Sequence, residues 1–116
     1  HFRGRVDGAI LTAAATVVPE EVESALRSID GIEDAIVLGL ANGGVGALVS
    51  VLIETTSGRA VPSVRRLREE ARSRLAPSHL PRLWYWTEQL PRTPAGKPAR
   101  AQIRRAIENG EVTRLD

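Results

Sequence analysis

Fifteen of the sixteen basic side chains in this sequence are arginine, and the single lysine, Lys97, closes the segment Leu90-Pro91-Arg92-Thr93-Pro94-Ala95-Gly96-Lys97-Pro98. Prolines on both sides and a glycine just before it put that ammonium on a tight, exposed loop. The two cations are not equivalent. Arginine offers a planar fork, whereas lysine offers a compact point charge with three rotatable donors. A chain that uses arginine everywhere else and keeps one lysine on a glycine turn points to a task for a point charge. On this count alone the alternative stays open, namely an arginine excess set by genomic base composition with one lysine surviving by accident.

Other chemistries find little support. A phosphate-binding Walker loop needs a glycine five residues before the Gly-Lys pair and a Ser or Thr after it; those positions hold Pro91 and Pro98. Cysteine is absent, which excludes disulfides and thiolate metal sites, and the two histidines, His1 and His79, are far apart, so no metal site is expected. No His–carboxylate pair has a spacing suited to acid–base catalysis. Arg65, Arg66, Arg68, Arg72 and Arg74 make one helix strongly basic, but Glu69 and Glu70 break the field, as on a solvated helix face. With a net charge of only +2, nucleic acid is not an expected partner. Trp84-Tyr85-Trp86 has the aromatic character of a base-stacking platform, yet in a chain this small it is more often core or rim. No apolar run reaches the ~20 residues needed to cross a bilayer.

The elements that must position Lys97 follow from patterning. At 116 residues, 42% hydrophobic and 26% charged, the chain has the size and composition of one globular domain. Two short apolar stretches, Ala9-Ile10-Leu11 and Thr16-Val17-Val18, flank small residues and predict a β-hairpin. Pro19 with Glu20 and Glu21 starts a helix running to Ile29, with Val22, Ala25, Leu26 and Ile29 as its apolar stripe and Gly31 as its stop. Asp34–Leu40 reads as a strand covered on both faces. Asn42-Gly43-Gly44 turns the chain, and Ala47–Glu54 returns as a second strand. Val61-Pro62-Ser63 opens a helix carrying Val64, Leu67, Ala71 and Leu75 inward, and Pro77 ends it. Pro81–Thr87 is a strand, and Ala99–Asn109 is a last helix after the Lys97 loop. The expected class is α+β: a small sheet with three helices packed on it plus an N-terminal β-hairpin.

Two motifs together carry a resemblance. Gly4-Arg5-Val6-Asp7, followed by Pro19-Glu20-Glu21-Val22-Glu23, and Leu90–Lys97, followed by Arg100, resemble signatures of the adenylate-forming superfamily: acyl- and aryl-CoA synthetases, adenylation domains of nonribosomal peptide synthetases, and luciferases. Gly31–Val37 is similar to the turn and strand after the family's first helix. The resemblance spans nearly the whole chain and corresponds to the family's small C-terminal domain. It implies residues 1–8 as a hinge or linker from an N-terminal domain and residues 9–116 as a lid domain; the absence of Met agrees with a piece of a longer polypeptide.

The resemblance implies an ATP-dependent acid–thiol ligase of the cytoplasm. Lys97 matches the catalytic lysine, and Arg5 and Lys97 match ATP/AMP contacts. Asp7 matches the hinge about which the small domain rotates between adenylation and thioester formation. ATP and Mg2+ would be held mainly by the N-terminal domain, and the acceptor would be CoA or a phosphopantetheine. Thr12, Ala13 and Ala14 fall at the thiol-acceptor passage, where many relatives carry Gly-Gly. The methyl groups of Ala13 and Ala14 are expected to narrow that passage. Gly8 stands where a second Asp is common. The alternatives are an adenylation domain that loads a carrier protein and, from another class, a nucleic-acid or protein-binding module without catalysis.

Overall fold

A computed structural model describes residues 9–41, 44, 46–56, 58 and 60–115. It opens with the hairpin β1 (Ile10–Leu11) and β2 (Thr16–Val17), followed by α1 (Pro19–Arg27), β3 (Ile32–Ala41), β4 (Ala47–Thr55), α2 (Val64–Arg72), β5 (Leu83–Thr87), α3 (Arg100–Glu108) and β6 (Thr113–Arg114). The last four strands form one sheet in the order β3-β4-β5-β6. β4 and β5 run parallel, and the other two pairs are antiparallel. A parallel pair needs a crossover, and α2 supplies it.

Both sheet faces are covered, as the unbroken apolar runs of β3 and β4 require. Alternate residues Ala35 and Val37 join Val22, Leu26, Val51, Leu67 and Trp84 in a core under α1 and α2. Ile36 and Leu38 point the other way and meet Leu52, Tyr85, Ile103 and Ile107 under α3. Trp84 and Tyr85 are therefore core residues on opposite faces, which agrees with the non-stacking reading of the aromatic strand.

The patterned elements stand where the sequence puts them, with differences at their ends. Ser63 caps α2 through its hydroxyl, which accepts from the Arg66 N–H. The helix stops at Arg72, before Pro77, and bonds from the Arg74 and Leu75 N–H groups to the Ala71 carbonyl carry Leu75 onto the core. Pro77–His79 forms a short 3-10 turn that the pattern did not announce. Neither did β6, two exposed residues with no hydrophobic alternation to mark them. The Asn42-Gly43 part of the predicted turn lies outside the described residues.

Candidate functional site

Lys97 sits on the outgoing stem of a tight hairpin between β5 and α3. Arg92 and Pro98 bridge the stems. The Thr93 N–H donates to the Lys97 carbonyl at 2.7 Å, and the Gly96 N–H donates to the Thr93 carbonyl at 2.8 Å. Pro94 and Ala95 are the central turn residues. Ala95 keeps a negative φ while Gly96 stands at 84°, the geometry of a type I turn closed by a glycine bulge. That left-handed position is why glycine precedes the lysine. The Lys97 N–H also donates to Thr93 Oγ1 at 3.3 Å, so Thr93 fixes the lysine's backbone on both sides. The lysine side chain is exposed, and its ammonium makes no ion pair with a described residue.

Three carboxylates beside the hairpin, Asp34, Glu54 and Glu23, are engaged by arginines. Arg92 donates from Nη2 to Glu54 at 2.8 Å and to Asp34 at 3.2 Å. Arg27 donates to the other oxygen of Asp34 at 2.7 Å and lies 3.5 Å from Glu23. Arg100 makes a forked pair with Glu23, at 2.9 and 3.0 Å. The result is an alternating chain, Arg92–Asp34–Arg27–Glu23–Arg100, whose two ends lie before and after Lys97. Glu23 is buried, with 2% of its side chain exposed, and its remaining capacity accepts the Val37 N–H at 2.8 Å. Burial pushes the Asp34 carboxyl up, but the Arg27 bond, the Ala35 amide and the nearby guanidinium charges outweigh it and hold it below the usual aspartate range. The Glu23 fork raises Arg100 against desolvation. For Arg92, desolvation is likewise outweighed by Asp34 and Glu54.

Two further bonds tie this network to the β3 backbone. Arg104 donates to the Gly39 carbonyl at 2.7 Å, and Arg27 reaches the Ala35 carbonyl at 3.3 Å. These carboxylates are not poised for a metal, because each is held by guanidinium groups. Among the described residues no group of three His, Asp or Glu side chains is arranged to hold one. The resemblance assigns Mg2+ mainly to an N-terminal domain, and the described residues offer it no ligand set of their own.

The second region is the β1–β2 turn. The Thr12 N–H and hydroxyl both donate to the Ala15 carbonyl at 3.0 Å, while Thr12 Oγ1 accepts from the Ala14 N–H at 3.1 Å and the Ala15 N–H at 2.9 Å. Thr12 is thus the scaffold of the turn, and Ala13 and Ala14 are its exposed crown. All three line a groove of about 510 Å³ with Leu48, Pro77, Leu80 and Arg82. Under this turn lies Gly46, with φ 87°. A Cβ there would meet Ala13 N at 3.0 Å and Leu11 O and Thr12 C at 3.1 Å. Backbone rests on backbone at this point, which only glycine permits.

Thr12, Ala13 and Ala14 thus share one groove, and Lys97 is not among its lining residues. Arg5 and Asp7 lie outside the described residues. The sequence reading named Lys97 and Arg100 but missed the carboxylates that frame them. Glu23 did leave a signal: it stands among the apolar positions Val22, Leu26 and Ile29, where an acid must be paired.

Residues 21–97 match the family described as AMP-binding enzyme C-terminal domain. The 3-oxocholest-4-en-26-oate–CoA ligase of Rhodococcus rhodochrous is 35% identical over 95 residues, 82% of this chain and 17% of its own length. The fatty acid–[acyl-carrier-protein] ligase ScoC of Streptomyces coeruleorubidus is 32% identical over 103 residues, 89% of this chain and 20% of its own. Among solved structures, the acyl-CoA synthetase of Brucella canis superposes with a TM-score of 0.79 at 26% identity, over 95% of this chain and 21% of that one. The chain spans about a fifth of the length of these relatives.

Proposed function

Because the chain belongs to the AMP-binding enzyme C-terminal domain family, we propose that it is the mobile small domain of an ATP-dependent acid–thiol ligase, delivering Lys97 for carboxylate adenylation. One observation carries the reading. The only lysine in the chain is held out on a hydrogen-bonded turn with no described carboxylate paired to it, while Asp34, Glu54 and Glu23 beside the hairpin are taken by arginines.

The chemistry asks for such a group. An oxygen of the substrate carboxylate attacks the α-phosphorus of ATP, the bond to the bridging oxygen breaks, and pyrophosphate leaves. Negative charge shifts among the phosphate oxygens in the transition state. A point charge aimed there, in a site shut off from water, gains strength. Carried on a separate domain, it arrives only when substrates are bound. Arg5 would add a contact on the nucleotide side. Asp7, at the head of residues 9–116, would be the pivot about which the domain turns so that Thr12, Ala13 and Ala14 face the incoming thiol. The acyl pocket, most ATP contacts and the Mg2+ ligands are assigned to an N-terminal partner domain. The cytoplasm, where ATP and CoA are supplied, is the proposed compartment. Among the described residues no helix is long and apolar enough to cross a membrane.

CoA is the first choice of acceptor. The similarity to a carrier-protein ligase supports a carrier-borne phosphopantetheine as the second. The test is ATP–pyrophosphate exchange by the full-length enzyme. Lys97→Ala should reduce it by ~10²–10³ and spare thioester formation from preformed acyl-adenylate. Lys97→Arg should also be poor, because a planar fork cannot occupy the same point. Equal slowing of both half-reactions would remove Lys97 from the role.

A further inference from the structure

We infer that Arg92 is a positioning residue for Lys97: it rivets the tip of the lysine hairpin to the sheet and so sets where the ammonium points. This rests on the adenylation role proposed for Lys97.

The hairpin's internal bonds fix its shape. Thr93 binds Lys97 and Gly96, and the Arg92–Pro98 bridge closes the stems. None of these bonds fixes how the finished hairpin sits on the domain. That orientation is set at its base, where Leu90 is buried and its N–H approaches Glu54 at 3.4 Å. One side chain joins base to tip. The Arg92 guanidinium holds Asp34 on β3 and Glu54 on β4 through Nη2, and through Nη1 it reaches the Gly96 carbonyl at 3.5 Å. Gly96 is the residue immediately before Lys97. A rotation of the hairpin about its base breaks the Asp34 and Glu54 contacts together.

Stability is one reason for the arrangement: the Arg92 side chain is 32% exposed, but those of Asp34 and Glu54 are only 16% and 12% exposed, so part of the pairing is shielded from water. Its geometric effect is separate. A misplacement of ~1 Å at a catalytic group costs up to ~10² in rate, and a lysine on four methylenes has no rigidity of its own. A forked guanidinium bonded to two strands and to the turn fixes the backbone from which it springs. The arrangement also neutralises Asp34 and Glu54 at the base of the hairpin.

The experiment compares Arg92→Ala, Arg92→Lys and Lys97→Ala in the full-length enzyme. Adenylation is followed by pyrophosphate exchange, and thioester formation is followed from preformed acyl-adenylate. Arg92→Ala should lower the adenylation kcat by about 10- to 100-fold. The KM for ATP and for the acid should stay within about twofold, the thioester half-reaction should hold its rate, and Tm should fall modestly, since Glu54 keeps the Leu90 N–H but loses its cation, with the protein still folded at the assay temperature. Arg92→Lys should fall between, since an ammonium reaches one carboxylate but cannot bridge two strands and the turn. If Lys97→Ala cripples adenylation and Arg92→Ala does not, the positioning role is overturned and the lysine's role stands. If Lys97→Ala is itself harmless, the reading of Lys97 falls first. Parallel losses in both half-reactions, or a matching loss of folded protein in Arg92→Lys, would assign Arg92 to the fold and overturn the inference.

Discussion

Replacing Glu23 with alanine should be the most damaging change at a charged position of α1, and its size can be worked out from the partners it leaves behind. The side chain is 2% exposed, whereas its partners Arg100 and Arg27 are 46% and 41% exposed. Released guanidinium groups would turn back into water, so the ion pairs themselves are worth only about 1 kcal/mol in sum. The larger cost is the Val37 N–H. It is buried, its acceptor at 2.8 Å disappears, and an unsatisfied buried donor costs about 1–3 kcal/mol. The total is about 3 kcal/mol. For a domain of this length, at about 4 °C per kcal/mol, Tm should fall by ~12 °C. The assay is thermal and urea unfolding of the 116-residue chain, read by circular dichroism. Repeating it in 1 M NaCl, where the Debye length is about 3 Å, should recover only the ion-pair share, because screening does not touch the amide. A Tm within about 3 °C of wild type would refute the reasoning: water would be reaching Val37, and the buried carboxylate would be contributing nothing.

Asp34 carries the acid sensitivity of the frame. Its folded carboxyl is held below the ordinary value of about 3.9, so its contribution is complete above that pH and is lost as pH falls through the depressed folded value. Asp34→Asn should therefore flatten the loss of stability below about pH 4, and an unchanged acid profile in urea titrations would count against the pairing. Gly46→Ala combines a left-handed φ with backbone atoms at 3.0–3.1 Å; it should cost about 1–3 kcal/mol in urea unfolding, and a neutral result would mean that the β1–β2 turn lifts off freely. Ala14→Gly in the full-length enzyme should improve thioester formation with CoA, mainly through the acceptor's KM, and leave adenylation unchanged; no effect on either would place the methyl outside the passage.

The frame of the fold was legible because it rests on periodicity. The β3 and β4 runs are apolar without alternation, and two-sided burial is the physical reason for that. The apolar faces of α1, α2 and α3 repeat at helical spacing. The 3-10 turn at Pro77–His79 and the two-residue β6 were not legible, since neither is long enough to show a period. At the site, Lys97 announced itself by being the one residue of its kind and by its turn residues. Its supporting charges did not. Asp34 and Glu54 are on neighbouring strands while Arg92 is 38 residues beyond Glu54, and pairing across such separations is decided by strand register, which hydrophobic patterning fixes only to the correct face. Thr12 was placed in the acceptor region through the resemblance, but its role as the oxygen that ties the turn together is a matter of hydrogen-bond geometry. The Ala13-Ala14 turn needs no left-handed residue, since among the described residues only glycines have positive φ. Alanine is therefore tolerated there by the backbone, and the effect proposed for it on an acceptor thiol would be one of room.

Strand β3 ends the sheet, and every second residue along it has backbone groups with no neighbouring strand to bond. Such a row is an open template for strand addition and aggregation. Here it is sealed by charge: Arg27 takes the Ala35 carbonyl, Glu23 takes the Val37 amide, and Arg104 takes the Gly39 carbonyl. A peptide seeking to extend the sheet would have to displace two guanidinium groups and a carboxylate from consecutive bonding positions. The frame that surrounds the lysine hairpin thus also protects the sheet against self-association. Variants that loosen Glu23 are expected to be prone to precipitation as well as less stable, because the amide they leave unbonded is one that another chain can bond.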